Sequence, residues 1–310
     1  MSQSPLHECT PLWMSRPLGD ILGEPVFLKM EALQPVGSFK IRGMGAACRH
    51  ALGSGAGRLV SSSGGNAGYA VAYAGRRLGM PTTVVVPRRA SVRSRELIQS
   101  EGAEVIEHGE AWDDSHAYAT QLAQRLDGAY IHPFDDPAVW AGHATMMQEI
   151  AEAGITPGIV VVSVGGGGLL CGVLEGMHNA GWTDVPVLAA ETRGADSFAA
   201  SVAAGRLVTL DRIASIATTL GARTVAPNAL AWTQRHQIIP WIVSDRAAVD
   251  ACLRFADDHR VLVEPACGAA LAPVYGRAEP LTGRGPALVI VCGGAGVTRE
   301  LLASWERQTR

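Results

Sequence analysis

The stretch GITPGIVVVSVGGGGLLCGVL, residues 154–174, has two incompatible readings. No charged residue occurs from 153 to 174, a length sufficient to cross a bilayer. The same run holds Pro157 and seven glycines, four of them consecutive at 165–168. Glycine and proline are the poorest helix formers, so this density argues against a spanning helix. The other reading is a buried strand, GIVVVSV, then a glycine turn, then a helix through LLCGVLEGMHNA. It makes the chain α/β.

The same alternation extends outward in both directions. PVFLKME, RLVSSS, TTVVVP, AEVIEHG, AYIHPF, VPVLAAE and PALVIVCG read as further short apolar strands. GNAGYAVAYAGRRLG, SVRSRELIQSEG and AWDDSHAYATQLAQRL read as helices between them. Strands alternating with helices imply parallel sheets covered on both faces. Three strands run directly into small-residue turns, SSSGGNAG, SVGGGGLL and VCGGAG. Open parallel sheets bind ligands beyond the carboxyl ends of their strands, so these turns are expected to feed one site.

Composition limits the function classes. The 310 residues are 47% hydrophobic and 18% charged, enough for about two domains with their own cores. A net charge of −3 offers nothing to attract nucleic acid or an anionic membrane. The dense arginines Arg88, Arg89, Arg93 and Arg95 read as a solvated face. The N-terminus, MSQSPLHECTPLW, lacks the basic and apolar regions of a signal peptide. Six cysteines lie scattered with no CxxC pair, as expected of a reducing cytoplasm. No HExxH or paired Cys/His spacing suggests zinc. His108, His116, His132 and His143 are expected to pack or hydrogen-bond locally.

The glycine run is neither GxGxxG nor a phosphate loop followed by GK[ST]. GSGAGR at 53–58 precedes a strand and is rejected as a dinucleotide loop. Four glycines between strand and helix let successive N–H groups converge on an anion at the positive helix end. One phosphate is the natural guest. SSSGGNAG at 61–68 has the same build and suits a substrate carboxylate. The chain contains only two lysines, Lys29 and Lys40, and Lys40 follows the small-residue turn and aromatic of QPVGSFKIRG, 34–43. A phosphate cradle, a carboxylate cradle and a reactive lysine suggest a phosphorylated aldehyde cofactor that condenses with an amino acid.

GSFKIRG, SSGGNAG, SVGGGGLLCG, LVEPACGAAL and VIVCGGAG, in that order, resemble the fold-type-II pyridoxal-phosphate enzymes. Within these, the likeness is to L-serine/L-threonine dehydratases of the animal type, from about Pro5 to Gly296. The resemblance implies a two-domain α/β fold like the tryptophan synthase β subunit. Residues 1–36 plus 137–310 would form the large domain and 37–136 the small one, with FDDP at 134–137 as the returning segment. It implies that Lys40 is the Schiff-base lysine and catalytic base, with Phe39 against one face of the pyridine ring and Thr219 on the other. Asn66 would hydrogen-bond the phenolic oxygen. The backbone of Gly165, Gly166, Gly167, Gly168 and Leu169 would bind the phosphate. Ser63, Gly64, Gly65, Asn66 and Ala67 would bind the substrate carboxylate. Cys292 would face the pyridine nitrogen, where a neutral thiol leaves that nitrogen unprotonated and favours β-elimination.

Glu191, Ala195, Ser197 and Leu220 match the family's site for a monovalent cation such as K⁺. A glutamate capping a helix start would look similar. The implied activity is β-elimination of L-serine or L-threonine to pyruvate or 2-oxobutyrate and ammonia, by a cytoplasmic homodimer. β-Replacement, as in cysteine or cystathionine synthesis, remains an alternative. So does serine racemisation, for which Ser63 would be the second acid/base. Gly64 and Thr219 depart from the alanines of the most active animal-type enzymes, and a lower turnover is expected from Gly64. The chain ends soon after VCGGAG, so no regulatory domain of the biosynthetic threonine deaminases is expected.

Overall fold

The computed structural model describes residues 4–310. Among these residues there are ten strands: β1 (Leu12–Met14), β2 (Val26–Lys29), β3 (Leu59–Ser61), β4 (Thr82–Val86), β5 (Glu104–Glu107), β6 (Ala129–Ile131), β7 (Ile159–Ser163), β8 (Val187–Thr192), β9 (Ile238–Val243) and β10 (Ala287–Ile290). They form a six-stranded sheet of order β1-β2-β10-β7-β8-β9 and a four-stranded sheet of order β5-β4-β3-β6. All neighbours run parallel except β1, which is antiparallel to β2. The mixed α/β class expected from the alternating pattern is therefore the class observed.

The strands β7, β8 and β10 are buried throughout. Helices cover both faces of such a sheet, so its central strands are continuous apolar runs. This is why 154–174 looked like a membrane span. Its apolar half is a central strand, and its second half is the helix Gly168–Asn179. No helix among the described residues is long and apolar enough to cross a membrane.

The smaller sheet has a separate core. Ile41, Met44, Cys48 and Val71 pack there with Leu59 and Ile131, and the core also takes in Leu6, Val36 and Val139. The last three lie outside the 37–136 segment. The helix Lys40–Gly53 thus packs on both Asn66–Leu78 and Pro137–Glu152.

A buried ionic network also anchors the start of that helix. Arg42, fully buried, donates to Glu31 at 2.8 and 2.9 Å and to both oxygens of Glu149 at 2.6 and 2.8 Å. Lys29 pairs with Glu149 and donates to the Thr10 carbonyl at 2.7 Å. Two cations face two carboxylates, so no net charge is left in the interior. The second lysine of the chain is therefore a structural one.

Candidate active site

Lys40 is placed by a turn stitched to a distant strand. The Phe39 N–H donates to the Cys292 carbonyl at 3.1 Å, and the Gly294 N–H donates to the Gly37 carbonyl at 2.8 Å. Gly293, at φ +96°, could not carry a side chain, because a Cβ would lie 2.3 Å from the Gly37 oxygen. The glycines of VCGGAG thus allow two loops to touch, and their contact brings Lys40 and Cys292 into one site. Lys40 opens its helix, and its Nζ donates to the Pro133 carbonyl at 2.7 Å. It lies 5.1 Å from the centroid of the Phe39 ring. Burial pushes the Lys40 amine down to about 8, against the opposing pull of Cys292 and Glu264.

The loop after β3 carries Ser63 to Ala67. A Cβ at Gly68 would meet the Ser63 carbonyl at 1.8 Å, so the loop folds back tightly on its own helix, Asn66–Leu78. The Ser63 hydroxyl accepts the Gly65 N–H at 3.3 Å. The Ser62 hydroxyl points elsewhere and bonds Tyr130, whose hydroxyl lies 2.6 Å from His116 Nδ1. Local partners account for the other histidines singled out above. His132 accepts the Asp135 N–H, His108 stacks on Tyr118, and His143 is buried against Phe39.

The four glycines after β7 are required for packing as well. A Cβ on Gly166 would enter the Phe134 ring at 2.3 Å, and one on Gly168 would meet the Phe134 carbonyl at 2.5 Å. Gly165 abuts Leu220, and Gly167 sits at φ +89° as the helix N-cap. Among the described residues, the N–H groups of Gly165 to Leu169 find no backbone acceptor. Five adjacent donors at a helix N-terminus suit one multiply charged oxyanion.

The remaining wall holds Cys292, Thr219 and Glu264. The Cys267 thiol and burial push the Cys292 thiol well above its usual range, so it stays neutral. Thr219 donates to Glu264 Oε1 at 2.7 Å, and Asn66 Nδ2 donates to the same oxygen at 2.8 Å. Glu264 was not singled out in the sequence, although it sits inside LVEPACGAAL. A lone carboxylate within an apolar segment, just before a helix, was the available signal.

All these groups line one cleft of about 450 Å³, which Lys40, the 63–67 loop, the 165–169 loop, Thr219, Glu264 and Cys292 share. Pro133, Phe134 and Trp112 close another side. The proposed cation residues are not all there. Leu220 lines the cleft, whereas Glu191, Ala195 and Ser197 are buried away from it. Both Glu191 oxygens accept N–H groups at the start of the helix Ser197–Ala204, from Phe198 at 2.9 Å and Ala199 at 2.8 Å.

The sequence pattern of the family described as pyridoxal-phosphate dependent enzymes matches residues 3–293. A rat protein called serine dehydratase-like is 47% identical over 98% of this chain and 95% of its own length. A human L-serine dehydratase/L-threonine deaminase is 46% identical over 99% of this chain and 97% of its own. The crystal structure of a fungal L-serine ammonia-lyase from Rhizomucor miehei superposes with a TM-score of 0.93 at 37% identity, covering 99% of this chain and all of that one. The chain belongs to the pyridoxal-phosphate dependent enzyme family. The cleft fits that cofactor, since free N–H donors await a phosphate and an amine of lowered basicity awaits an aldehyde.

Proposed function

We propose that this enzyme converts L-serine, L-threonine or both to pyruvate or 2-oxobutyrate and ammonia by β-elimination of water. The observation that carries the reading is the shared cleft, in which the Lys40 amine lies with the 63–67 loop, the 165–169 loop and a neutral thiol. The names of the similar mammalian and fungal proteins point the same way. Pyridoxal phosphate would supply an aldehyde for the substrate amine and an electron sink for Cα. The Gly165–Leu169 amides would hold its phosphate, Phe39 and Thr219 would lie against the ring, and Asn66 would donate to its phenolic oxygen. Ser63 to Ala67 hold the substrate carboxylate and fix Cα within reach of Lys40. Lys40 Nζ takes the Cα proton, and an amine lowered from 10.5 to about 8 is neutral in a far larger fraction near physiological pH than an ordinary lysine. Cys292 stays protonated and would leave the ring nitrogen without a proton, so charge would not linger at Cα; the proton taken from Cα and the β-hydroxyl leave together as water, and the released aminoacrylate takes up water to give the keto acid and ammonia.

Glu191 supports the finer reading of a monovalent-cation site with carbonyls near Ala195 and Leu220 and with Ser197. It is fully buried, and no cationic side chain pairs with it among the described residues. We further propose that residues 37–136 close over the bound substrate, that the protein is a homodimer, and that it works in the cytoplasm, where its six cysteines stay reduced.

Incubation of the purified holoenzyme with L-serine and, separately, L-threonine tests the activity. Equal keto acid and ammonia, absent in Lys40→Ala, are expected. Conversion of L- to D-serine without keto acid would replace this reading by racemisation through Ser63. A thioether amino acid formed on adding a thiol, without keto acid, would replace it by β-replacement.

A further inference from the structure

We propose that Glu264 is a positioning residue for this reaction, holding Asn66 and Thr219 on one carboxylate oxygen so that Asn66 keeps its second amide N–H for the cleft. The inference rests on the cofactor-dependent reading above.

The geometry leaves Asn66 one orientation. Its Oδ1 accepts the Ala295 N–H at 2.9 Å, and its Nδ2 donates to Glu264 Oε1 at 2.8 Å. The amide is thereby fixed at both ends, and one N–H remains on a residue that lines the cleft. Thr219 donates to the same Oε1 at 2.7 Å. Glu264 is itself immobilised. It is 8% exposed, and its backbone carbonyl accepts from the Cys267 and Gly268 amides and from the Cys252 thiol. A Cβ on Gly294 would lie 2.6 Å from its Cγ, so the loop after β10 presses on the side chain. Asn66 follows a strand of the smaller sheet, while Glu264, Thr219 and Ala295 belong to segments around the larger one. Glu264 therefore ties the substrate loop to the opposite wall of the cleft. A carboxylate needs such donors once buried.

Three titratable groups face it: Lys40 from its helix, Cys292 from the end of β10, and Cys252 from the helix Asp245–His259. Burial pushes the Glu264 carboxyl up to about 7, and Thr219, Asn66 and Lys40 pull it back. The oxygen is a full-strength acceptor only once ionised. Its grip on Asn66 therefore tightens as pH rises through neutrality.

The test compares wild-type holoenzyme with Glu264→Gln, Glu264→Ala and Thr219→Ala. The readouts are the visible absorbance of bound pyridoxal phosphate against pH, its dissociation constant, and kcat and KM for L-serine. Glu264→Ala is expected to lower kcat roughly ten- to a hundredfold with a smaller change in KM, because a misplaced Asn66 misorients the reacting group. Its cofactor spectrum should shift as well. Glu264→Gln keeps shape and acceptor but should lose the near-neutral inflection in the absorbance titration. Thr219→Ala removes a donor that stabilises the ionised form, so the inflection should move to higher pH. If the alanine variant does not fold, the nearly isosteric glutamine variant decides the matter by the same inflection. Variants with the wild-type spectrum at every pH and the wild-type kcat would overturn the role of Glu264 alone. A wild-type chain that takes up no cofactor would overturn this role together with the reading it rests on.

Discussion

At the scale of single residues, the glycines are more demanding than their backbone freedom suggests. Gly166→Ala would push a methyl into the Phe134 ring, and overpacking of that kind costs about 1–3 kcal/mol. The expected outcome is a lower melting temperature and weaker cofactor binding, measured by thermal unfolding and absorbance titration. Gly64 is a subtler case. A Cβ there would lie 2.8 Å from the Ala90 Cβ, so an alanine must displace the loop that follows β4. The expectation from sequence was that alanine at this position raises turnover. In this chain that gain should emerge only when the clash is relieved. Gly64→Ala combined with Ala90→Gly should therefore exceed Gly64→Ala alone in kcat, and equal values for the two would count against the contact. Lys40, Asn66, the glycine loop and Cys292 were legible because each sits in a short motif whose residue types suit a distinct chemistry. Glu264 was not, because its importance comes from Asn66 and Thr219, and both partners are distant in sequence.

At the scale of elements, eight of the ten strands among the described residues coincide with segments whose apolar runs predict them, β8 running one residue further to Thr192. The other two, β1 and β9, are the edges of the larger sheet. β1 has three residues, too few for a periodic signal. β9 contains Pro240, which weakens a strand reading yet is tolerated at an edge, where one side of the ladder is open. The buried network around Arg42 was also invisible, since its four charges come from three separate segments. Its removal should be costly, because Arg42→Ala leaves Glu31 and Glu149 in the interior with only Lys29 to offset them. Breaking a buried pair typically costs about 3–5 kcal/mol. Urea unfolding should register this as a lower midpoint. Because Arg42 lies half a turn beyond Lys40, cofactor affinity should fall as well. An unchanged midpoint would mean that the network contributes nothing net.

At the scale of the whole molecule, ligands should be felt as stability. The cleft draws its walls from loops of both sheets, so a cofactor bound there favours the folded chain by about 2.7 kcal/mol at a hundredfold excess over its Kd. Stripping the cofactor should lower the melting temperature, and adding it back should restore it. The proposed cation has its own signature. Burial raises the Glu191 carboxyl from an ordinary 4.5 to about 8. The folded state then holds a proton that the unfolded state has lost, so this group lowers stability progressively as pH rises from about 4.5 to 8. A K⁺ ion that binds the ionised carboxylate should offset the loss, with a larger gain in melting temperature at about pH 9 than at about pH 6. Glu191→Gln should abolish that difference. An equal K⁺ effect at both pH values would remove Glu191 from the cation site. Apolar runs and small-residue turns, both local properties of the chain, were enough to establish the α/β class, most of the strands and the loops beyond their carboxyl ends. Only the tertiary structure decided that Lys40 meets Cys292 through the Gly37–Gly293 contact, that Phe134 fills the space left by the glycines, that Lys29 is structural and that Glu264 braces Asn66. The physical reason is that burial and pairing depend on neighbours in space, and the chain sets those neighbours only when both sheets are assembled.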